Sequence, residues 1–191
     1  MDVLSEHRWR RRIIKSIMLA IFCYCPLVAA AAGPLDLRVV IDVSRQMADA
    51  DPEGVRANAD ELLTQTLPDD AYAGVWTYAR YVNMLIPHGR ADRLWKTQAA
   101  QQSQQLPAAG AGANLAAAIG EATWDLSSTR QRQRHMLVIS DGALRTAEGE
   151  PLGDAAIGSL LEDLLPALLA ADYRVHVLEL PWRQPGADSP D

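Results

Sequence analysis

Two aspartates in this sequence directly follow apolar runs, and a serine lies close to each of them. Asp42 follows residues 39–41 and is itself followed by Ser44, and Asp141 follows residues 137–140. Short apolar runs bounded by polar residues predict buried strands. Ligands of open α/β sheets bind just outside the carboxyl ends of the strands, where Mg²⁺ and Ca²⁺ prefer carboxylate and hydroxyl oxygens. The pattern therefore indicates a candidate site for a hard divalent cation.

An enzyme is the alternative chemistry, since an Asp after a strand can also be the nucleophile of phosphoryl transfer. That reaction needs a lysine and a second carboxylate beside Asp42, but Lys96 is the one lysine after residue 32 and it lies in a polar segment. No glycine-rich phosphate loop of the usual spacings occurs. His88, His135 and His176 are scattered along the chain. The sequence therefore favours a binding protein over a phosphoryl-transfer enzyme that uses Asp42.

The first 32 residues have the pattern of a secretory signal peptide. A basic region at 8–15 precedes an apolar run at 17–32 that ends in four alanines. The run is short for a spanning helix, which needs about 20 apolar residues. We therefore predict cleavage and export, with the periplasm as the expected location and an uncleaved inner-membrane anchor as the alternative. The predicted organisation is a signal peptide at 1–32, one domain at 33–182 and a disordered tail at 183–191.

The charge of the remaining chain excludes one class of partner. After residue 32 the chain has 13 basic and 22 acidic residues, a formal net charge of −9. Nucleic-acid binding needs a positive surface, so we expect no nucleic-acid partner. Both cysteines, Cys23 and Cys25, lie within the predicted signal peptide. The exported domain would therefore have no disulfide, and its stability must come from its core.

Strand and helix patterns alternate along residues 35–180. Strands are predicted at 35–43, 71–78, 81–86, 135–140 and 173–180. Helices are predicted at 52–67, 91–105, 115–126 and 155–171. A two-residue connection makes the second and third strands antiparallel. This order predicts an α/β fold with a doubly wound, mostly parallel open sheet.

Several details of these elements are also predicted. Residues 45–51 should form a polar turn, and the first helix should begin at Asp51-Pro52. That helix should bury its apolar residues, which are Val55, Ala59, Leu62, Leu63 and Leu67. Residues 87–89 should end the third strand, and Pro166 should kink or split the last helix.

Three short motifs carry a resemblance to a known family. Residues 42–46 resemble the Asp-x-Ser-x-Ser motif of von Willebrand factor type A (vWA) domains, residues 110–115 resemble its Gly-x-x-Thr-Asn-Leu turn, and residues 139–142 resemble its Thr-Asp-Gly. The order and the intervening elements match from Leu35 to about Leu180. The chain is most similar to small exported bacterial vWA proteins of unassigned role.

The resemblance implies a vWA/Rossmann-like fold that lacks the family's final strand and helix. The strand at 173–180 would then be an edge strand, and we expect it to be less protected from hydrogen exchange than in longer relatives.

The resemblance also implies the ligands of a metal-ion-dependent adhesion site. Its five positions fall on Asp42, Ser44, Gln46, Ala113 and Asp141. A glutamine and an alanine replace two of the family's hydroxyl residues, and alanine has no ligand atom. The amide oxygens of Gln46 and of the neighbouring Asn114 could substitute. The predicted metal ligands are therefore Asp42, Ser44, Gln46, Asn114 and Asp141.

Two interpretations of this site remain open. In one it holds Mg²⁺ or Ca²⁺ weakly. In the other it is degenerate, and the chain is an exported protein-binding (adhesion or assembly) module that works without metal; a metal-free structural module or a truncated vWA product is the alternative function. In both, the partner is another protein that docks on the loops around Asp42, Asn114 and Asp141, and membrane contact occurs only through an uncleaved signal segment.

Overall fold

The computed structural model describes residues 33–106, 108, 110–124 and 132–180. These residues contain five strands: β1 (Leu35–Asp42), β2 (Tyr72–Tyr78), β3 (Val82–Arg90), β4 (Gln133–Ser140) and β5 (Tyr173–Glu179). They also contain five helices: α1 (Met47–Ala50), α2 (Val55–Thr66), α3 (Arg93–Ser103), α4 (Leu115–Thr123) and α5 (Asp154–Ala170). The predicted signal peptide, the predicted tail at 183–191 and the predicted end of the third helix at Leu126 lie outside the described residues.

The strands form one open sheet in the order β3-β2-β1-β4-β5. β1 pairs in parallel with β2 and β4, β4 pairs in parallel with β5, and β2 and β3 are antiparallel. This arrangement confirms the predicted mostly parallel, doubly wound sheet. Because β1 is central, Asp42 at its carboxyl end lies in the middle of one sheet edge.

Helices cover both faces of the sheet. One core cluster joins alternate residues of β1, such as Val39 and Ile41, to Trp95 and Ala99 of α3. The other joins Val40 and Met136 to residues of α4 and α5, including Ile119. Side chains of a strand alternate between its two faces, so the central strands are buried on both sides. In the described residues, no helix is long and apolar enough to cross a membrane.

The buried face of α2 is largely polar, so the predicted apolar face is wrong for Val55 and Leu62. Leu67 is buried as predicted, and Leu63 is partly buried against the core. Val55 is 48% exposed and Leu62 is 68% exposed, whereas Arg56, Asp60 and Thr64 are buried. The inward side chains have polar partners: Arg56 Nη1 donates to the backbone oxygen of Asp42 at 3.0 Å, and Asp60 accepts a hydrogen bond from Ser103 at 2.6 Å. Hydrogen bonds of this kind allow polar groups to be buried.

The start of α2 also differs from the prediction. The helix begins at Val55, after Gly54 with a φ of +68°, and α1 occupies part of the predicted turn at 45–51. Asp51 still caps the helix, because its two carboxylate oxygens accept from the backbone N–H groups of Val55 (2.6 Å) and Arg56 (3.1 Å). The capping residue was therefore predicted correctly, but it acts from a position four residues before the helix.

Two prolines lie inside elements, although residues 87–89 were predicted to end the third strand and Pro166 to kink or split the last helix. β3 continues past Pro87 to Arg90, because an edge strand tolerates a missing N–H and the pairing with β2 is irregular. α5 continues through Pro166 as a single helix. Pro166 lies on the exposed side of α5, so water can bind the carbonyl that the missing N–H leaves free.

Apolar residues are exposed where β5 forms one edge of the described sheet. Val175, Val177 and Leu178 of β5 are between 41% and 66% exposed. Leu168 is the one buried residue of α5, while Leu165 and Leu169 are exposed. The predicted lower protection of this edge from hydrogen exchange stays a prediction.

Candidate functional site

Three loops meet at the carboxyl edge of the sheet, and we call them together the loop platform: residues 42–47, 110–114 and 141–147. The first two are joined by backbone hydrogen bonds from Arg45 N to Gly110 O (2.8 Å) and from Gly110 N to Val43 O (3.0 Å). The second and third are joined by Ala113 N, which donates to Thr146 O at 3.1 Å. The three loops are therefore held in one arrangement by their own backbones.

Gly112 allows the second and third loops to approach this closely. Its φ is +71°, a conformation that L side chains rarely adopt. A Cβ atom at this position would lie 1.9 Å from the backbone oxygen of Ala147. The glycine in this turn is therefore required both by its backbone conformation and by the contact between the loops.

Asp42 is completely buried at the end of β1. Its Oδ1 accepts from the backbone N–H of Ser44 at 2.7 Å, which turns the chain out of the strand. Its backbone oxygen accepts from Arg56, so α2 helps to fix the position of Asp42. Both contacts orient the second carboxylate oxygen without using it.

Three oxygens of the first loop have no hydrogen-bond partner among the described residues. They are Asp42 Oδ2, Ser44 Oγ and Gln46 Oε1, and all three atoms are buried. Leaving a buried acceptor unpaired costs stability. Buried oxygen atoms without a hydrogen-bond partner are ligands that a hard cation such as Mg²⁺ or Ca²⁺ would coordinate.

Both carboxylate oxygens of Asp141, unlike those of the first loop, already have a partner, because Arg145 pairs with each of them. Arg145 Nη1 lies 3.1 Å from Oδ1 and Nη2 lies 2.9 Å from Oδ2. Oδ1 also accepts from the backbone N–H of Ala143 at 3.0 Å. The side chain of Arg145 is 15% exposed and that of Asp141 is 4% exposed, so this bidentate pair is well shielded from water. The guanidinium supplies the positive charge that a cation would otherwise bring.

The second loop offers little to a metal ion. Ala113 is buried and has no ligand atom. Asn114 caps α4, because its Oδ1 accepts from the backbone N–H of Ala117 at 3.1 Å. The structure thus brings all five predicted ligands to the loop platform, but Asn114 and Asp141 already use their oxygens in other contacts.

The electrostatics of the site follow from burial and from its two carboxylates. Burial raises the pKa of Asp42 and the charge of Asp141 adds to the increase, while the nearby Ser44 groups and Arg145 oppose it. Burial also raises the pKa of the Tyr78 hydroxyl, and both aspartates raise it further. Tyr78 is therefore a neutral phenol at any ordinary pH.

These residues fit a divalent cation only in part. The unpaired oxygens of Asp42, Ser44 and Gln46 favour one, and the Asp141–Arg145 pair opposes one. Whether the five predicted ligands bind a metal stays a prediction.

Sequence reasoning missed Arg145 and Arg56, the two arginines that contact the predicted site. Arg145 could have been suspected from its position four residues after Asp141, but only in a helix does that spacing imply a contact. Arg56 follows no pattern, because it reaches Asp42 from another element. Lys96 lies elsewhere: its Nζ donates to Leu67 O (2.6 Å) and contacts Asp69 (2.9 Å), before the amino end of β2.

No protein-family model matches the sequence, and no curated protein matches it. Solved structures do match. The von Willebrand factor type A protein from Catenulispora acidiphila matches with a TM-score of 0.59 and 18% identity, over 76% of this chain and 33% of that one. An aerotolerance-related membrane protein from Bacteroides fragilis matches with a TM-score of 0.53 and 19% identity, over 81% of this chain and 75% of that one.

A manganese-loaded TRAP protein from Plasmodium vivax matches with a TM-score of 0.55 and 16% identity, over 78% of this chain and 58% of that one. This chain therefore spans about a third of the Catenulispora protein and less than two thirds of the TRAP chain. At these identities the likeness concerns the fold. It confirms that the chain has the vWA fold that the three sequence motifs predicted.

Proposed function

We propose that this chain, a domain with the vWA fold, is a protein-binding module that docks its partner on the loop platform. The platform is supported as a docking surface by the hydrogen bonds that join its loops, because a preformed surface loses little entropy on binding. Arg45, Ala111 and Ala143 lie exposed on it. A partner would therefore meet both polar backbone and side chains at fixed positions.

The Asp141–Arg145 pair is the observation that carries the rest of the proposal. In it, an arginine of the chain neutralises a carboxylate that would otherwise need a metal ion. We therefore propose that docking proceeds without a resident cation. Two N–H groups of the guanidinium bind Asp141, and Nη1 also donates to the backbone oxygen of Ala143 at 3.4 Å. The remaining N–H groups would donate to a carboxylate of the partner.

A cavity beside Arg145 would accept an apolar side chain of the same partner. Its volume is about 530 Å³ and it lies between the loop platform, α4 and α5. Apolar residues such as Leu144, Leu152 and Leu160 line it, and its polar lining includes Arg145, Asn114 and Asp163. Arg145 and the cavity together would therefore fit a partner segment in which a carboxylate lies next to an apolar side chain.

Cation-assisted docking is the second candidate. The three unpaired oxygens of Asp42, Ser44 and Gln46 favour it. In that case Mg²⁺ or Ca²⁺ would bind these oxygens weakly, and a partner carboxylate would complete its coordination. The manganese in the TRAP structure belongs to that protein and gives only a general reason to test this one.

We propose a binding role rather than a catalytic one. The enzyme that the sequence allowed as an alternative would need a lysine beside Asp42, and Lys96 is engaged by Leu67 and Asp69 instead. We also propose export to the periplasm, or anchoring through an uncleaved segment, on the strength of the pattern in residues 1–32. The neighbour from Bacteroides fragilis is itself described as a membrane protein.

Site-specific photo-crosslinking tests the docking surface. A benzophenone amino acid replaces Ala111 or Ala143 on the platform, or Gln101 on the exposed side of α3 as the matched control. In cells that export the full chain, we expect the same protein adduct from both platform positions and none from Gln101. Adducts that form equally well at Gln101, or only there, would contradict the proposal.

A thermal-shift titration with Mg²⁺, Mn²⁺ and Ca²⁺ separates the two candidates. We expect millimolar ion to leave the Tm of the native chain unchanged and to raise the Tm of Arg145→Ala, in which Asp141 is free to bind a cation. Arg45→Ala removes an exposed arginine of the same platform and should behave like the native chain. Stabilisation of the native chain that disappears in Asp141→Ala would support the cation-assisted candidate instead.

A further inference from the structure

Two histidines contact each other on neighbouring strands, away from the loop platform. Nδ1 of His135 on β4 lies 2.9 Å from Nε2 of His176 on β5. The two rings are parallel within 2° and their centroids are 5.2 Å apart. The imidazoles therefore meet edge to edge, with one nitrogen of each directed at the other.

We propose that His135 Nδ1 and His176 Nε2 together chelate one divalent transition-metal ion, Cu²⁺ in preference to Ni²⁺ and Zn²⁺. Bonds from a metal to imidazole nitrogen are about 2.0–2.1 Å long, so two such bonds at a right angle hold their nitrogens about 2.9 Å apart. Right angles between ligands are typical of tetragonal Cu²⁺ and Ni²⁺, and Cu²⁺ binds most tightly in the divalent series.

The backbone fixes the spacing of the pair in advance. β4 and β5 are hydrogen-bonded in parallel, with Leu137 opposite His176 and Arg174 opposite His135. The two imidazoles project from the same face of the sheet on adjacent strands. Binding then needs the loss of the proton that the two nitrogens share, and a turn of each ring by about 45° so that both lone pairs face the metal.

The surroundings determine how the coordination is completed. His176 is exposed and His135 is half-buried, so water reaches the metal position. Within the described ranges, no third His, Cys, Asp or Glu joins the pair to form a larger ligand group. Water must therefore fill the remaining positions. Arg174 lies on the same face beside His135, and its positive charge weakens the attraction for the cation.

Copper titration of the full chain tests this site. We expect one Cu²⁺ per chain by calorimetry, with an electron paramagnetic resonance spectrum showing two equatorial imidazole nitrogens. His135→Gln or His176→Gln should each raise the Kd at least about tenfold, since even loss of an outer-shell partner costs 10–100-fold. Arg174→Gln is the matched control, because it keeps both imidazoles and removes a charge, and it should bind copper at least as tightly as the native chain.

The proposal is overturned if the native chain shows a single nitrogen ligand, or if either histidine variant keeps the native Kd. Circular dichroism of each metal-free variant checks that the strands remain folded. His135→Asn and His176→Asn replace the glutamine variants if one of these is disturbed. Because this site shares no residue with the loop platform, its failure would leave the proposed docking function untouched.

Discussion

Asp36 and Asp42 lie at opposite ends of β1 and on the same face of the sheet, but their surroundings are opposite. Both are buried, with 2% and 0% exposure. Asp36 has three basic neighbours: His88 Nε2 lies 2.8 Å from its carboxylate, Arg132 Nη1 at 3.4 Å and Arg38 Nε at 3.6 Å. Asp42 contacts no cationic side chain through its carboxylate and keeps one oxygen unpaired among the described residues.

The pKa values follow this difference. Burial alone would raise the pKa of Asp36, but the His88 hydrogen bond and the charges of His88, Arg38 and Arg132 outweigh it and hold the pKa below its usual value. At Asp42 burial is not outweighed, and the pKa is raised. Asp36 therefore holds the amino end of the sheet together, whereas burial makes a charge on Asp42 costly, as is typical of binding sites.

The largest expected effect comes from Asp36→Asn. It removes the carboxylate that pairs with Arg38 and Arg132 and that His88 contacts, and breaking a buried ion pair in this way costs roughly 3–5 kcal/mol. The lowered pKa means that the charge of Asp36 stabilises the fold above the unfolded pKa and that this contribution is lost as acid protonates it. Urea unfolding at pH 7 measures the loss.

Asp69→Asn is the matched control for Asp36→Asn. Asp69 pairs with Lys96 at 2.9 Å, but its side chain is 83% exposed. An exposed pair is screened by water and contributes little, so we expect a much smaller loss than in Asp36→Asn. Equal losses of stability in the two variants would contradict this expectation, because they would mean that burial of the carboxylate makes no difference.

Asp60→Asn extends the comparison to a carboxylate in the helical layer. Burial raises the pKa of Asp60 to about 6, although the Ser103 hydrogen bond opposes the increase. The native chain should therefore lose stability as pH rises from about 4 to 6, because the folded state holds a proton that the unfolded state has released. We expect the variant to be more stable than the native chain by about 2 kcal/mol at pH 8.

The difference between Asp60→Asn and the native chain should vanish at pH 4, where Asp60 is protonated in the folded state. Unfolding curves at both pH values measure it. A variant that is less stable than the native chain at pH 8 would show that the negative charge of Asp60 stabilises the fold.

Asp141→Ala should have an intermediate effect. It leaves the part-buried Arg145 guanidinium without its bidentate partner, and hydrogen bonds to charged groups contribute roughly 1.5–3 kcal/mol. Thermal unfolding without added metal measures the loss. Asp141→Ala combined with Arg145→Ala should recover part of it, because the unpaired charge is then gone. Additive losses would mean that the pair does not act as a unit.

The smallest expected effect comes from Asp42→Asn. The asparagine keeps an oxygen for the Ser44 N–H, and it replaces a carboxylate whose charge is made costly by burial. We expect the stability of the metal-free protein to change by less than about 1 kcal/mol or to increase. A loss as large as that of Asp36→Asn would mean that Asp42 supports the fold and would end the contrast between the two ends of β1.

The sheet was predictable because its signals are local. Val39, Ile41 and Ile139 lie in apolar runs, and the residues that follow each run are polar, so strand positions and the convergence of Asp42 and Asp141 could be inferred. The buried face of α2 could not. Asp60 and Ser103 are 43 residues apart in sequence, and periodicity of apolar residues carries no information about a polar pair that forms on folding.

The convergence of the five predicted ligands could be inferred from the sequence, but the contacts that each of them makes could not. The motifs located Asp42, Ser44, Gln46, Asn114 and Asp141, and the structure brings all of them to the loop platform. The engagement of Asp141 by Arg145 depends on the path of an irregular loop. Side chains in such loops are positioned by backbone turns rather than by a repeating geometry, so no spacing rule reports the contact.

The exposed edge at β5 has a consequence for the protein in solution. Val175, Val177 and Leu178 are exposed on that strand, and the whole chain has a formal net charge of −6. Mutual repulsion opposes contact between these apolar edges at low ionic strength, and screening shortens its range from about 10 Å at 0.1 M salt to about 3 Å at 1 M. The second virial coefficient should therefore fall as salt is added, so that the colloidal stability of the protein depends on its charge.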